Sequence, residues 1–180
     1  MDDSLLKAIV IERHLPHGGG VQVPERAVIH CMAEFIDYKG VRYSAWDFLN
    51  LVDLPDKVGL SAHVLIPPDG TRIRCRADTE MAWHAKDFNT NSLGVEMLVP
   101  GVFNLADLKR RTQTPYLSDA QMNSLVQQIL IWKNEHRLQR IDRHSDLDPV
   151  RRWFDPGEGF NFEELLRRTW ACRRVAEATP

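Results

Sequence analysis

The sequence has only three cysteines, Cys31, Cys75 and Cys172, far apart and without a Cys-x-x-Cys pair. An odd, scattered set excludes a disulfide scaffold and a cysteine-type zinc finger, and it fits a reducing compartment. Positive charge is not in excess. Lys plus Arg is 23 against Asp plus Glu 25, a formal net charge of −2. A general binder of nucleic acid or anionic membrane needs a basic surplus, so neither is expected as a partner. The apolar run Ala8-Ile9-Val10-Ile11 is too short for a signal core or a membrane span, and Met1-Asp2-Asp3-Ser4 is acidic where a signal peptide is basic. The chain therefore reads as soluble and cytoplasmic. Gly18-Gly19-Gly20 lacks a following Gly-Lys-Ser/Thr, which excludes a phosphate loop and leaves a flexible turn. No internal repeat or low-complexity tract is found.

What is present is ordinary globular material: 180 residues, 43% hydrophobic and 27% charged. That length corresponds to one domain with a substantial core, read here as residues 1–180. Leu5–Ile11 and the β-branched Arg26–Cys31 read as strands, the second ending near His30. Ser44–Val52 suits a helix, with Trp46, Leu49 and Asn50 on one side. Ser61–Ile66, the turn Pro67-Pro68-Asp69-Gly70 and Thr71–Arg76 make a hairpin. Leu93–Val99 is a further strand, and Pro100–Tyr116 reads as a surface excursion.

The clearest helix begins at Ser118, where Ser118 and Gln121 form a capping box ahead of the stripe Met122, Leu125, Val126, Ile129, Leu130. Asn161 and Glu164 cap a last helix whose apolar face is Phe162, Leu165, Leu166, Thr169, Trp170 and Cys172. The pairs Arg167-Arg168 and Arg173-Arg174 read as its solvated side. Strands mixed with helices, and a hairpin among them, predict an α/β fold with a mixed central β-sheet flanked by helices.

Seven histidines are present, and each taken singly is more often structural than a ligand. His30 ends a buried-type strand, His144 lies in the polar loop His144-Ser145-Asp146-Leu147-Asp148-Pro149, and Asp155 opens the turn Asp155-Pro156-Gly157. Two imidazoles and one carboxylate are a typical donor set for catalytic zinc, although spacing alone does not assign it. Glu96 sits in the otherwise apolar strand Leu93-Gly94-Val95-Glu96-Met97-Leu98. A carboxylate there is costly unless paired or facing a cavity. It reads either as a structural ion pair or as a general base with a raised pKa.

Six segments now stand in order: Val28-Ile29-His30-Cys31, Ser61-Ala62-His63, Pro68-Asp69-Gly70, Ala82-Trp83-His84-Ala85-Lys86, Asn91-Ser92-Leu93-Gly94-Val95-Glu96, and His144-Ser145-Asp146 with Pro149 and Asp155-Pro156-Gly157. Together, over about residues 26–170, they resemble the zinc-dependent N-acetylmuramoyl-L-alanine amidases of type 2. That class includes AmpD-type enzymes, phage lysozyme-type amidases and peptidoglycan-recognition proteins. The resemblance implies a single domain of that fold and one Zn2+ held by His30, His144 and Asp155. It implies Glu96 as acid/base and hydrolysis of the amide between N-acetylmuramic acid and L-alanine. Trp83, His84 and Asn91 match positions lining the substrate groove, Arg151 is expected to bind substrate with them, and His63 matches a structural histidine of the sheet. The partner implied is peptidoglycan or an anhydro-muropeptide. The role implied is cytoplasmic muropeptide recycling or release from the cytoplasm as an endolysin, with a monomer assumed.

The sequence departs from the family pattern in three places. Two residues, Trp153 and Phe154, separate Arg151-Arg152 from Asp155 where the family has one, which leaves Asp146 and Asp148 as alternative ligands. The oxyanion position, commonly lysine, is Arg152, or Arg151 if the loop shifts; an arginine keeps the charge and adds donors. Ala62 replaces the tyrosine of the phage lysozyme type, which favours the glutamate-based site. The alternative reading is a non-catalytic peptidoglycan-binding module on the same fold, which typically lacks a zinc ligand.

Overall fold

The computed structural model describes residues 9–51 and 60–170. Two long strands carry the fold, β3 (Arg26–Tyr38) and β8 (Ser92–Phe103), paired in parallel along most of their length. Outward from β8 the sheet continues through β5 (Val64–Ile66) and β6 (Arg72–Arg74) to β1 (Val10–Glu12). The opposite edge of β3 is shared. Its first half pairs in parallel with β9 (Arg140–Arg143), and its second half pairs antiparallel with β4 (Val41–Ser44). The β5–β6 hairpin is antiparallel and the β5–β8 and β1–β6 pairs are parallel, so the sheet is mixed, as expected.

Alternation along the strands divides the sheet into two faces. Ala27, Ile29, Cys31 and Ala33 on β3 stand beside Leu93, Val95, Met97 and Val99 on β8, and all join one buried cluster. The helix α3 (Asp119–His136) covers this face with Leu125, Ile129 and Trp132, and α5 (Phe162–Trp170) adds Leu165. The capping box of α3 forms as predicted. Gln121 in addition donates from its side chain to the carbonyls of Ile66 and Leu98, at 3.0 and 2.9 Å, and so ties the helix start to two strands. The register partners His30, Glu96 and Leu65 are left for the other face, where Leu15, Leu49, Ala62 and Cys75 form a smaller cluster around Leu65. The site is built on this second face.

Several elements differ from the sequence reading. Gly18–Val21 is not a turn but strand β2, pairing with β7 (Glu80–Ala82) through a register shift. Gly18 has φ +145°, and a Cβ there would lie 2.3 Å from the Met81 carbonyl oxygen, so glycine is required for that approach. Pro100–Tyr116 is not an excursion. β8 runs on to Phe103, helix α2 (Leu105–Arg111) follows with Asn104 as its N-cap, and Tyr116 is buried in the main core. Helix α1 (Ala45–Asn50) is capped by Ser44. The first strand begins at Val10; Leu5–Ala8, Val52 and the stretch holding Cys172 and Arg173-Arg174 lie outside the described residues. Among the described residues no helix is long and apolar enough to cross a membrane.

Candidate metal centre

Strand register assembles the site. β3 and β8 set His30 opposite Glu96, and β3 and β9 set Ile29 opposite Arg143. The chain passes from Arg143 straight into the one-turn helix α4 (His144–Leu147), so His144 follows Arg143 as His30 follows Ile29, the partner of Arg143. The two imidazole centroids are 4.5 Å apart. Asp155 then returns in tight turns. The Arg152 amide donates to the Asp148 carbonyl, the Asp155 amide to the Arg152 carbonyl, and the Ser145 amide to the Asp155 carbonyl, at 2.8, 2.8 and 2.7 Å. These turns absorb the additional residue, with Trp153 46% exposed and Phe154 buried. The alternative carboxylates are engaged elsewhere: Asp146 pairs with Arg143 and Asp148 with Arg151.

One donor atom each from His30, His144 and Asp155 lies within 4.8 Å of the others. Asp155 Oδ2 is 2.9 Å from His144 Nδ1 and 3.4 Å from His30 Nδ1, and Asp155 Oδ1 accepts the Cys31 amide at 2.7 Å. Burial by itself raises the Asp155 pKa, but His30 and His144 beside it hold the carboxyl well below the usual carboxylate range. Burial lowers the His30 pKa against the pull of Asp155. An ionised carboxyl and a neutral imidazole are the forms that bind a divalent cation. Two buried imidazoles, a carboxylate anchored through its second oxygen, and room for a further ligand suit zinc.

Glu96 flanks this group. Its Oε2 is buried with no hydrogen-bond partner among the described residues. Burial first, and then the charge of Asp155, push its pKa well up, while Arg152 pulls it down. Arg152 lines two neighbouring cavities. One, of about 360 Å³, is bordered by Trp83, His84, Lys86, Asn89 and His144. The other, of about 300 Å³, places Glu96 and Asp155 beside apolar Met32, Ile36, Phe48 and Phe154. Arg151 borders the first cavity only, with its guanidinium on Asp148.

The expected groove residues separate. Trp83 stands 43% exposed at the rim, stacked at 6.2 Å on His17. His84 is buried, with Nδ1 2.9 Å from His30 Nε2. Asn91 does not border either cavity; its amide donates to Glu25 at 3.3 Å. Asn89 borders the groove instead, and its side-chain oxygen accepts the His84 and Ala85 amides at 3.0 and 2.7 Å. The sequence reading missed Asn89. The signal was an asparagine able to close a turn on the backbone beside the Trp-His pair. His63 is fully buried. Its Nδ1 accepts the Gly94 amide and its Nε2 donates to the Glu80 carbonyl, both at 2.9 Å, and burial takes its pKa down to about 4.

Comparison with known proteins follows the same lines. The sequence profile of a family described as N-acetylmuramoyl-L-alanine amidase matches residues 20–158. No curated protein sequence gives a significant match. Among solved structures, the chain is similar to an AmpD derivative, with TM-score 0.66 and 22% identity over 95% of this chain and 98% of that one. It is similar to the N-acetylmuramoyl-L-alanine amidase LysC from Clostridium intestinale URNW, with TM-score 0.65 and 21% identity over 90% and 97%. It is also similar to the Drosophila peptidoglycan recognition protein SD, with TM-score 0.57 and 16% identity over 88% and 94%. At these identities the structural likeness shows a shared fold.

Proposed function

Because the chain belongs to the N-acetylmuramoyl-L-alanine amidase family, we propose that it is a zinc-dependent hydrolase that cleaves the amide between N-acetylmuramic acid and L-alanine. The convergence of His30, His144 and Asp155 beside Glu96, whose buried Oε2 has no hydrogen-bond partner among the described residues, carries this reading. A bound zinc ion supplies Lewis acidity, polarising a carbonyl and acidifying a water. His30, His144 and Asp155 hold the ion. Glu96, with its raised pKa, takes a proton from the attacking water at its free oxygen and delivers it to the leaving amine of L-alanine. Arg152 borders both cavities, and its fixed charge stabilises the developing oxyanion. Trp83 and Asn89 border the groove in which the muropeptide lies.

All three ligand positions are filled, which favours catalysis over a binding-only module. The biological role is recycling of anhydro-muropeptides in the cytoplasm or lysis of the wall after release from the cell. Glu96 and the Ser61-Ala62-His63 segment favour the first. The test is mass spectrometry of matched anhydro- and reduced muropeptides after incubation with the protein. Stem peptide beginning at L-alanine is expected, and preference for the anhydro form assigns recycling. Binding without release from either substrate would overturn the enzymatic reading.

A further inference from the structure

The protonation of two buried histidines can be followed from one end of a hydrogen-bonded chain. The Ser92 hydroxyl is 2.6 Å from the Phe88 carbonyl, which only accepts, so its single proton points there. His84 Nε2 lies 3.1 Å from Ser92 Oγ and 3.3 Å from the Ser92 carbonyl. Neither oxygen has a proton to offer, so Nε2 must carry one. Among the described residues no carboxylate hydrogen-bonds to His84, and the residue is 6% exposed, conditions under which an imidazole stays neutral. Its Nδ1 is therefore bare and accepts from His30 Nε2 at 2.9 Å. In a neutral His30, the form that binds a divalent cation, Nδ1 is then bare as well, 3.4 Å from Asp155 Oδ2. Two acceptors facing each other are reconciled by a cation.

The ring of His84 has little freedom to depart from this arrangement. It lies against Gly94, where a Cβ would come within 2.6 Å of His84 Cγ and Nδ1. Its backbone amide is held by Asn89.

We propose that His84, oriented by Ser92, is a positioning residue that locks His30 in the tautomer whose Nδ1 lone pair faces the metal. The inference rests on His30 being a zinc ligand. It moves His84 from contacting substrate to ordering the centre, in the way outer hydrogen bonds fix a metal-binding imidazole.

The test has two arms. Long-range 1H–15N spectra of the metal-free protein should show His30 and His84 both protonated at Nε2; a proton on His30 Nδ1 overturns the proposal. In the second arm, zinc dissociation constants are measured by chelator competition for His84→Asn, which keeps an acceptor near the Nδ1 position, and for His84→Phe, which fills the volume without one. His84→Asn should stay close to the parent protein and His84→Phe should weaken binding about 10–100-fold. If packing alone matters the order reverses, because asparagine leaves a cavity, and the proposal fails. Should the parent protein bind no zinc, the functional reading falls while the spectra still decide the tautomer. Should His84→Phe fail to fold, the spectra again decide.

Discussion

His30 and Glu96 are direct partners across the parallel pair of the two longest strands, on the face turned away from the helix core. Partners in a ladder project to the same side, so the register itself sets the proposed ligand beside the proposed base. The separation of roles can be tested at Glu96. Glu96→Gln should keep one zinc per chain and lower turnover about 10²–10⁴-fold, the usual worth of a positioned general base. Metal analysis alongside a muropeptide assay reads both. Loss of zinc in this variant would make Glu96 a ligand instead.

Asp155→Ala should lose zinc and activity together, whereas Asp146→Asn should keep both. Asp146 is occupied by Arg143, at 2.7 Å from its guanidinium, and stands apart from the two histidines. Metal content of the two purified variants distinguishes the carboxylates.

The paired arginines should behave differently. Arg152→Ala is expected to cost about 10²–10³-fold in kcat, the range for removing an oxyanion donor. Arg151→Ala, which removes a surface ion pair with Asp148, should act mainly on KM. Steady-state kinetics on one muropeptide separates them.

His63 should impose a pH dependence on stability. Its pKa falls from 6.5 to about 4 on folding because burial disfavours the imidazolium. Between those values the unfolded chain binds a proton that the folded one refuses, so stability falls as pH drops through this window and levels off below it. The full effect is about 3 kcal/mol at 1.36 kcal/mol per pKa unit. Denaturant midpoints at pH 7 and pH 4.5 should differ less in His63→Gln than in the parent protein.

Gly94→Ala should destabilise the protein by about 1–3 kcal/mol, as overpacking does. The new Cβ would meet the buried ring of His84, which hydrogen bonds hold at both nitrogens. Thermal unfolding of the variant checks this, and an unchanged Tm would contradict the close packing of ring on glycine.

Much of this was legible in the sequence because the signals were local. The stripe after Ser118, the capping box with Gln121 and the hairpin turn at Pro67–Gly70 each specify their element through a few neighbouring residues. Gly18–Gly20 was misread because glycine marks a turn by propensity; here it makes a strand, required where the backbone passes close to Met81 and Arg76. Pro100–Tyr116 was misread because its one short helix shows little periodicity, and Tyr116 is buried only through tertiary packing. At the site, the order of motifs singled out His30, His144 and Asp155, which the structure brings together. It could not distinguish Asn89 from Asn91, since that depends on which amide a tight turn directs into the groove.

The central claim is hydrolysis by a metal held at His30, His144 and Asp155. Its most direct measurement is the release of stem peptide from a purified muropeptide by protein stripped with a chelator and then titrated with zinc. Activity that is absent after stripping and rises to a plateau at one zinc per chain is the predicted result. Full release by the stripped protein, or none at saturating zinc, would contradict the account.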